Sequence, residues 1–286
     1  MNPILLAICV LGGMGLVFGL VLAVASKVFY VKTDPRLGQL EEALPGANCG
    51  GCGFAGCAAY AAAVLEGRAE IGKCSSGGNE AAQKMAKIMG VEAKEVARQV
   101  AFVRCSGPHA SGNTEFTGLK GPYEGMHDCL AATKVAGRGP LICKFGCLGF
   151  GNCTKVCKYD AIHVVGGVAK VDEDKCVGCL QCVKACPRQL IVPVDYHSDI
   201  TIACASTAKG SVTRRGCEIG CLGCTLCEKK CPQGAVHVVK NLAVIDPEKC
   251  NSCGLCAQLC PRGLIVDHHF RSEHDVVLDP AAPAEP

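Results

Sequence analysis

The sequence predicts an α+β chain made of one apolar N-terminal helix, a small helical cysteine domain, and two copies of a cysteine-rich module of short strands and helices. Three observations carry this. Ile4 to Ala25 is a run of 22 residues without a charge. The 286 residues include 25 cysteines, most of them in tight runs. The segment that begins at Cys143 recurs from Cys217 without a gap, at an offset of 74 residues.

The apolar run comes first. At about 1.5 Å per residue it reaches about 33 Å, against a bilayer hydrocarbon core of about 30 Å. A cleaved signal peptide is the competing reading, and Ala23-Val24-Ala25 has the form of a cleavage site. Against it, no Lys or Arg precedes the run, the run exceeds a signal core, and Lys27, Lys32 and Arg36 follow it. The expectation is a single-pass anchor in the cell inner (cytoplasmic) membrane, with the bulk of the chain on the cytoplasmic side. Gly15 and Gly19 make a small-xxx-small pair that suits close helix approach or is ordinary membrane-helix glycine. Cys9, inside the run, reads as a small hydrophobe.

Composition narrows the class of the remainder. Cysteine at about 9% marks a disulfide scaffold or a metal protein. Neighbouring cysteines two or three residues apart converge on metal more readily than they bridge. A net charge of +3 offers no electrostatic case for nucleic acid. With no Trp and few aromatics, metal ligation is expected to supply folding free energy that a small core cannot.

Cys49, Cys52, Cys57 and Cys74 are spaced C-x2-C-x4-C-x16-C inside a glycine-rich stretch. Glycine lets backbone wrap closely around an iron–sulfur cluster, and exposed N–H groups can bond its sulfurs. Zinc is the alternative for four cysteines, although two paired CxxC units would be the usual form. Ala58 to Leu65 reads as a helix. Asn79 to Val103 reads as an amphipathic helical region broken near Gly90, with Met85, Ile88, Met89, Val96, Val100 and Val103 apolar. Ser106 to Gly121 reads as a loop.

The repeat is the most specific signal. C-x2-C-x2-C-x3-C is complete at Cys176–Cys186, Cys221–Cys231 and Cys250–Cys260. In two-cluster ferredoxins the fourth cysteine of each run ligates the other run's cluster. One [4Fe–4S] cluster then takes Cys176, Cys179, Cys182 and Cys157. Another takes Cys221, Cys224, Cys227 and Cys260, and a third takes Cys250, Cys253, Cys256 and Cys231. Strands at Ile162–Val165 and Val236–Val239 are expected to pair with strands near Val168–Val171 and Ala243–Ile245.

The run at Cys147 departs from this pattern, because Phe150 stands where the second cysteine belongs. The cluster of Cys147, Cys153 and Cys186 therefore needs a fourth ligand or has three irons, and Cys143 is the nearest candidate. Cys105, Cys129, Cys204 and Cys217 are left over. They suit a sixth cluster beyond the expected five, or are buried free thiols, and one of them could exchange with Cys143. The fold class is thus α+β: a single transmembrane helix, a small helical [4Fe–4S] domain and two ferredoxin-like 2[4Fe–4S] modules. Boundaries are expected at 1–30 for the anchor, 31–104 for the first domain and 105–140 for a linker with extra cysteines. The first module takes 141–194, a connector 195–214, the second module 215–268 and a tail 269–286.

Taken in order, the anchor, the LPGANCGGCGFAGC segment with its following GCAAYA, and the ferredoxin region resemble the B subunit of Rnf-type ion-translocating ferredoxin:NAD oxidoreductase complexes. Gly146 to Gly151 is similar to the longer, cluster-rich version of that subunit. The resemblance implies an electron-transfer subunit of a translocase that takes electrons from reduced soluble ferredoxin. Partner membrane subunits would carry flavin, bind NAD and move Na⁺ or H⁺. No G-x-G-x-x-G fingerprint follows a strand and no nucleophile–base constellation occurs, so neither NAD nor flavin nor substrate-bond chemistry is expected on this chain. His163, His237 and His268–His269 read as structural or solvated, and Asp279–Pro286 as a disordered tail. Two other readings are a polyferredoxin subunit of another membrane redox complex, and a zinc scaffold.

Overall fold

The computed structural model describes residues 3–28, 34–93, 95, 97–107, 118, 120, 123–196 and 200–267. Val96, most of the 106–121 loop, His268–His269 and the tail lie outside the described residues.

Helix α1, Pro3–Val28, has 26 residues, about 39 Å at helical rise. Its described side chains, Ile4 apart, run from Leu11 to Lys27, 17 residues or about 26 Å. Among the described residues, no helix is long and apolar enough to cross a membrane.

The first cysteine domain packs α2 (Pro35–Glu42), α3 (Cys57–Leu65) and α4 (Gly78–Met89) around Leu40, Tyr60, Val64 and Met85. Asp34 caps α2 with Pro35 at its first position, an arrangement that satisfies an orphan N–H and pre-sets φ. Gly90 ends α4 in the left-handed conformation. Tyr60, buried beside the cysteines, donates to the Glu70 carbonyl at 2.9 Å and accepts from the Lys73 N–H at 3.2 Å. It thereby ties the helix that starts at Cys57 to the loop that delivers Cys74.

Beyond Gly90 the helical expectation fails. Gln99–Val103 is strand β1, antiparallel to β4 (Ile191–Asp195), with Val103 opposite Ile191. Val100, Val103 and Phe102 favour a pleated surface, and pairing with Ile191–Val194 buries them. The strand therefore belongs to the sheet of the first module.

Within that module, β2 (Ile162–Val165) and β3 (Val168–Val171) form the expected hairpin. Short helices α6 (Asn152–Lys155) and α7 (Gln181–Ala185) carry cysteines, and α5 (Cys129–Lys134) arises from the linker. The second module repeats the plan. Its hairpin is β6 (Val236–Val239) with β7 (Leu242–Ile245), and its helices are α8 (Gly210–Gly216), α9 (Leu226–Lys230) and α10 (Leu255–Leu259). A further pair joins β5 (Ile200–Ile202) to β8 (Ile265–Asp267), with Ile202 opposite Ile265. Strand β5 thus matches β1, at an offset of 99 residues instead of 74, because the first copy holds the longer linker. Each module has its own small core, around Val100, Ile162 and Ile191 in one and Val236, Leu264 and Ile265 in the other.

Removing the Tyr60 hydroxyl strips a partner from two backbone groups. Tyr60→Phe is expected to destabilise the first domain by about 1–3 kcal/mol, read as a lower denaturant midpoint for its unfolding.

Candidate iron–sulfur centres

Each cysteine run of the two repeated modules follows one backbone recipe. The residues on both sides of its second position are left-handed: Gly178 and Leu180, Gly223 and Thr225, Ser252 and Gly254, and Gly149 and Gly151. Successive residues of this kind turn N–H groups into a concavity that suits anions. They also aim the short helix that follows, which carries the third cysteine of the run. Backbone N–H groups reach the sulfurs, from Ala161 to Cys157 at 3.4 Å and, at the repeat-equivalent place, from Ala235 to Cys231 at 3.3 Å.

The 24 described cysteines form no disulfide, and they gather in fours. Cys74 feels the charges of Cys52, Cys57 and Cys49. Cys157, Cys176, Cys179 and Cys182 line one cavity. Cys221, Cys224, Cys227 and Cys260 line another. Cys256, with Cys250 beside it, stands in the last run with Cys253, and the crossing pattern adds Cys231.

At the irregular run the structure departs from the sequence expectation. The cavity holding Cys147, Cys153 and Cys186 is completed by Cys129, with Cys143 lying elsewhere. Cys153 feels Cys147, Cys129 and Cys186. Phe150, in place of the missing cysteine, stacks on His127 and Tyr123 with ring centroids 5.1 and 5.4 Å away. Its ring anchors the segment that leads into α5. Asn152 completes the anchorage, accepting from the Cys129 N–H at 2.8 Å and donating to Asp128 at 2.7 Å. Asp128 in turn caps α5 through the Ala131 N–H.

Cys143 stands instead with Cys105, Cys204 and Cys217 in a cavity between the modules, which Cys147 also lines. Cys105 and Cys204 are equivalent, each two residues past β1 or β5, and Cys143 and Cys217 are equivalent in the repeat. Each module therefore contributes the same two cysteines. Cys105 was legible only as a leftover, because the repeat is broken by the linker before it.

These walls fit a bound cluster. Among the described residues, the buried side-chain polar atoms without a partner are Arg104 Nε, Arg188 Nε, Thr213 Oγ1 and Arg262 Nε. Arg104 and Thr213 line the inter-module cavity, Arg188 the Cys129 cavity and Arg262 the Cys260 cavity. Sulfide or thiolate acceptors would satisfy them. A Cβ added at Gly220 would meet Thr213 Cγ2 at 2.5 Å beside Cys217, so glycine lets Thr213 pack against that wall. No group of three or more metal-binding side chains converges on one ion among the described residues. A cubane takes each thiolate on a different iron, so convergence on a point is not what it needs.

Burial pushes the thiols up, to about 12 at Cys105, Cys153 and Cys182, with neighbouring cysteines adding to it at each. Iron must displace these protons. Cys231 moves the opposite way: burial raises its pKa, but N–H groups of Ala235, Gln233, Val236 and Gly234 outweigh that and lower it.

The sets also stand in file. Cys179 feels Cys49 of the first domain, and a Cβ on Gly51 would meet the Cys179 carbonyl at 2.8 Å. Cys182 feels Cys153. The Cys147 N–H donates to Cys105 Sγ, and the Cys221 N–H to Cys204 Sγ, both at 3.4 Å. Cys256 feels Cys227. Of the 24, only Cys224 and Cys253 are exposed. His163 and His237 take local partners, Asp160 and Glu228.

Family models match three stretches: an Fe-S cluster model at residues 44–76, a 4Fe-4S binding domain at 168–191 and a 4Fe-4S dicluster domain at 220–264. The B subunit of the Na(+)-translocating ferredoxin:NAD(+) oxidoreductase complex of Acetobacterium woodii is 44% identical over 87% of this chain and 74% of its own length. The proton-translocating counterpart of Clostridium ljungdahlii is 42% identical over 88% and 87%. The B subunit of the ion-translocating oxidoreductase complex of Methanosarcina acetivorans is 39% identical over 86% and 91%. With thiolate sets, family models and relatives in agreement, this chain belongs to the family of B subunits of ion-translocating ferredoxin:NAD(+) oxidoreductase complexes and is an electron-transfer subunit of that type.

Proposed function

We propose that the chain holds six [4Fe–4S] clusters in single file and relays electrons from reduced ferredoxin toward the membrane partners of its complex. When bound, the clusters supply the one-electron redox centres. The reading is supported by cavities and contacts that gather the described cysteines in fours, with Cys147 between the Cys129 and inter-module cavities and Cys231 assigned to the last set by the crossing pattern. In order from the first domain, the sets are headed by Cys49, Cys157, Cys129, Cys105, Cys221 and Cys231. The chain's own part is to give up thiol protons, to bring backbone N–H groups to sulfur, and to shield every thiol except Cys224 and Cys253 from full exposure.

The far end of the file carries exposed Cys253, with Cys224 in the next set. That end is remote in sequence from α1, so the soluble donor is assigned to it. The first domain, at the other end, follows α1 after a short segment. Helix α1 is assigned as a single-pass anchor with the cysteine domains on the cytoplasmic face. Its uncharged run and the exposure of Leu11, Leu16, Phe18 and Leu22, each above 60%, support lipid contact. Flavin, NAD and the Na⁺ or H⁺ path are assigned to partner subunits.

Iron and acid-labile sulfide in anaerobically purified protein test the count. About 24 irons per chain are expected, and about 20 would reject the inter-module set. Cys129→Ser and Cys143→Ser separate the two ligand arrangements. Cys129→Ser is expected to convert one cluster to a three-iron form, or lose it, while the Cys105, Cys204 and Cys217 set stays loaded. Cys143→Ser is expected to perturb only the inter-module set, and an effect of Cys143→Ser on the cluster of Cys147 would return that cysteine to the irregular run.

A further inference from the structure

Each repeat closes in Cys-Pro-Arg, and the arginines occupy equivalent places. Arg188 donates to the carbonyls of Cys143, at 3.4 Å, and Gly146. Arg262 donates to the carbonyl of Cys217, the repeat partner of Cys143. Both therefore grip the backbone of an inter-module cysteine from opposite sides. Arg188 also donates from Nη2 to the Arg138 carbonyl, and the Nε of each arginine is sealed from solvent with no acceptor. Arg188 lines the Cys129 cavity and Arg262 the Cys260 cavity, so each also touches the set flanking the inter-module one. Among the described residues neither has a carboxylate partner, and the groups near Arg188 are the thiols of Cys143, Cys147 and Cys105 and the like charge of Arg138. A partly buried cation without a counter-charge is costly unless something anionic sits beside it.

We propose that Arg188 and Arg262 are positioning residues that set reduction potential, each raising one flanking cluster and both raising the inter-module cluster, whose cavity Arg104 also lines. The inference rests on the six-set reading above. Adding an electron increases negative charge on a cluster, and a fixed cation in a shielded site favours that state. The arrangement has a specific signature. Arg188 acts on the inter-module and Cys129 sets, Arg262 on the inter-module and Cys260 sets, and neither acts on the two outermost sets.

The test uses the full chain, anaerobically purified, with Arg188→Gln, Arg262→Gln, the double variant, and Arg188→Lys and Arg262→Lys. Redox-poised EPR is the readout, with iron and sulfide assayed on each sample. Wild-type iron content judges the six-set reading by itself, before any variant is compared. With iron retained, each Gln variant is expected to lower the reduced-to-oxidised ratio of its two clusters about tenfold at fixed poise, equivalent to 59 mV for one electron. The double variant is expected to lower the inter-module cluster by about the product of the two. The Lys variants, which keep the charge, are expected to stay closer to wild type than the Gln variants. Unchanged midpoints in the Gln variants, or equal shifts in Gln and Lys, would overturn the proposal. So would loss of iron from the Gln variants, because the arginines would then be clamps on the Cys143 and Cys217 loops.

Discussion

Bringing thiols together in clustered sets is the constraint from which the rest of this structure follows. The hydrophobic cores are small, and several of their buried members are themselves cysteines: Cys153, Cys176 and Cys182 in one module, Cys204, Cys221, Cys227 and Cys256 in the other. Under the proposed assignment, ligand bonds stand in for apolar volume and couple folding to metal uptake. Burial that raises thiol pKa works against assembly in the metal-free chain. The same burial shields the sets once they are filled.

The backbone answers that constraint with one repeated device. A left-handed residue on each side of the second position of a run turns N–H groups inward and launches a short helix. Glycine is the cheap occupant, yet Leu180, Thr225 and Ser252 also adopt the conformation, an arrangement that persists only when surrounding structure compensates its cost. Where the run lacks its cysteine, Gly149 and Gly151 keep the device intact. Phe150 then turns outward to stack on Tyr123 and His127.

Much of this was legible in advance. The complete runs and the two hairpins were legible from local spacing and periodicity, and both hairpins form between the expected strands. The places that were not legible share a cause, which is dependence on contacts distant in sequence. Val100 and Val103 fit a helical period as well as a strand, and pairing with Ile191–Val194 decided between them. Cys143 lies four residues before Cys147 and so looked like its partner, but Arg188 holds its carbonyl and the second module completes its set. Cys129 is brought in by a capped helix and an aromatic stack, neither of which has a metal-site spacing.

The inter-module cavity has a consequence for the history of the chain. Two self-sufficient ferredoxin units can be gained, lost or shuffled one at a time. Here Cys105 and Cys143 come from one copy and Cys204 and Cys217 from the other, so deleting either copy strands half a ligand set in its sibling. Under the proposed assignment the two copies depend on each other for one cluster, and neither can be removed without unloading it.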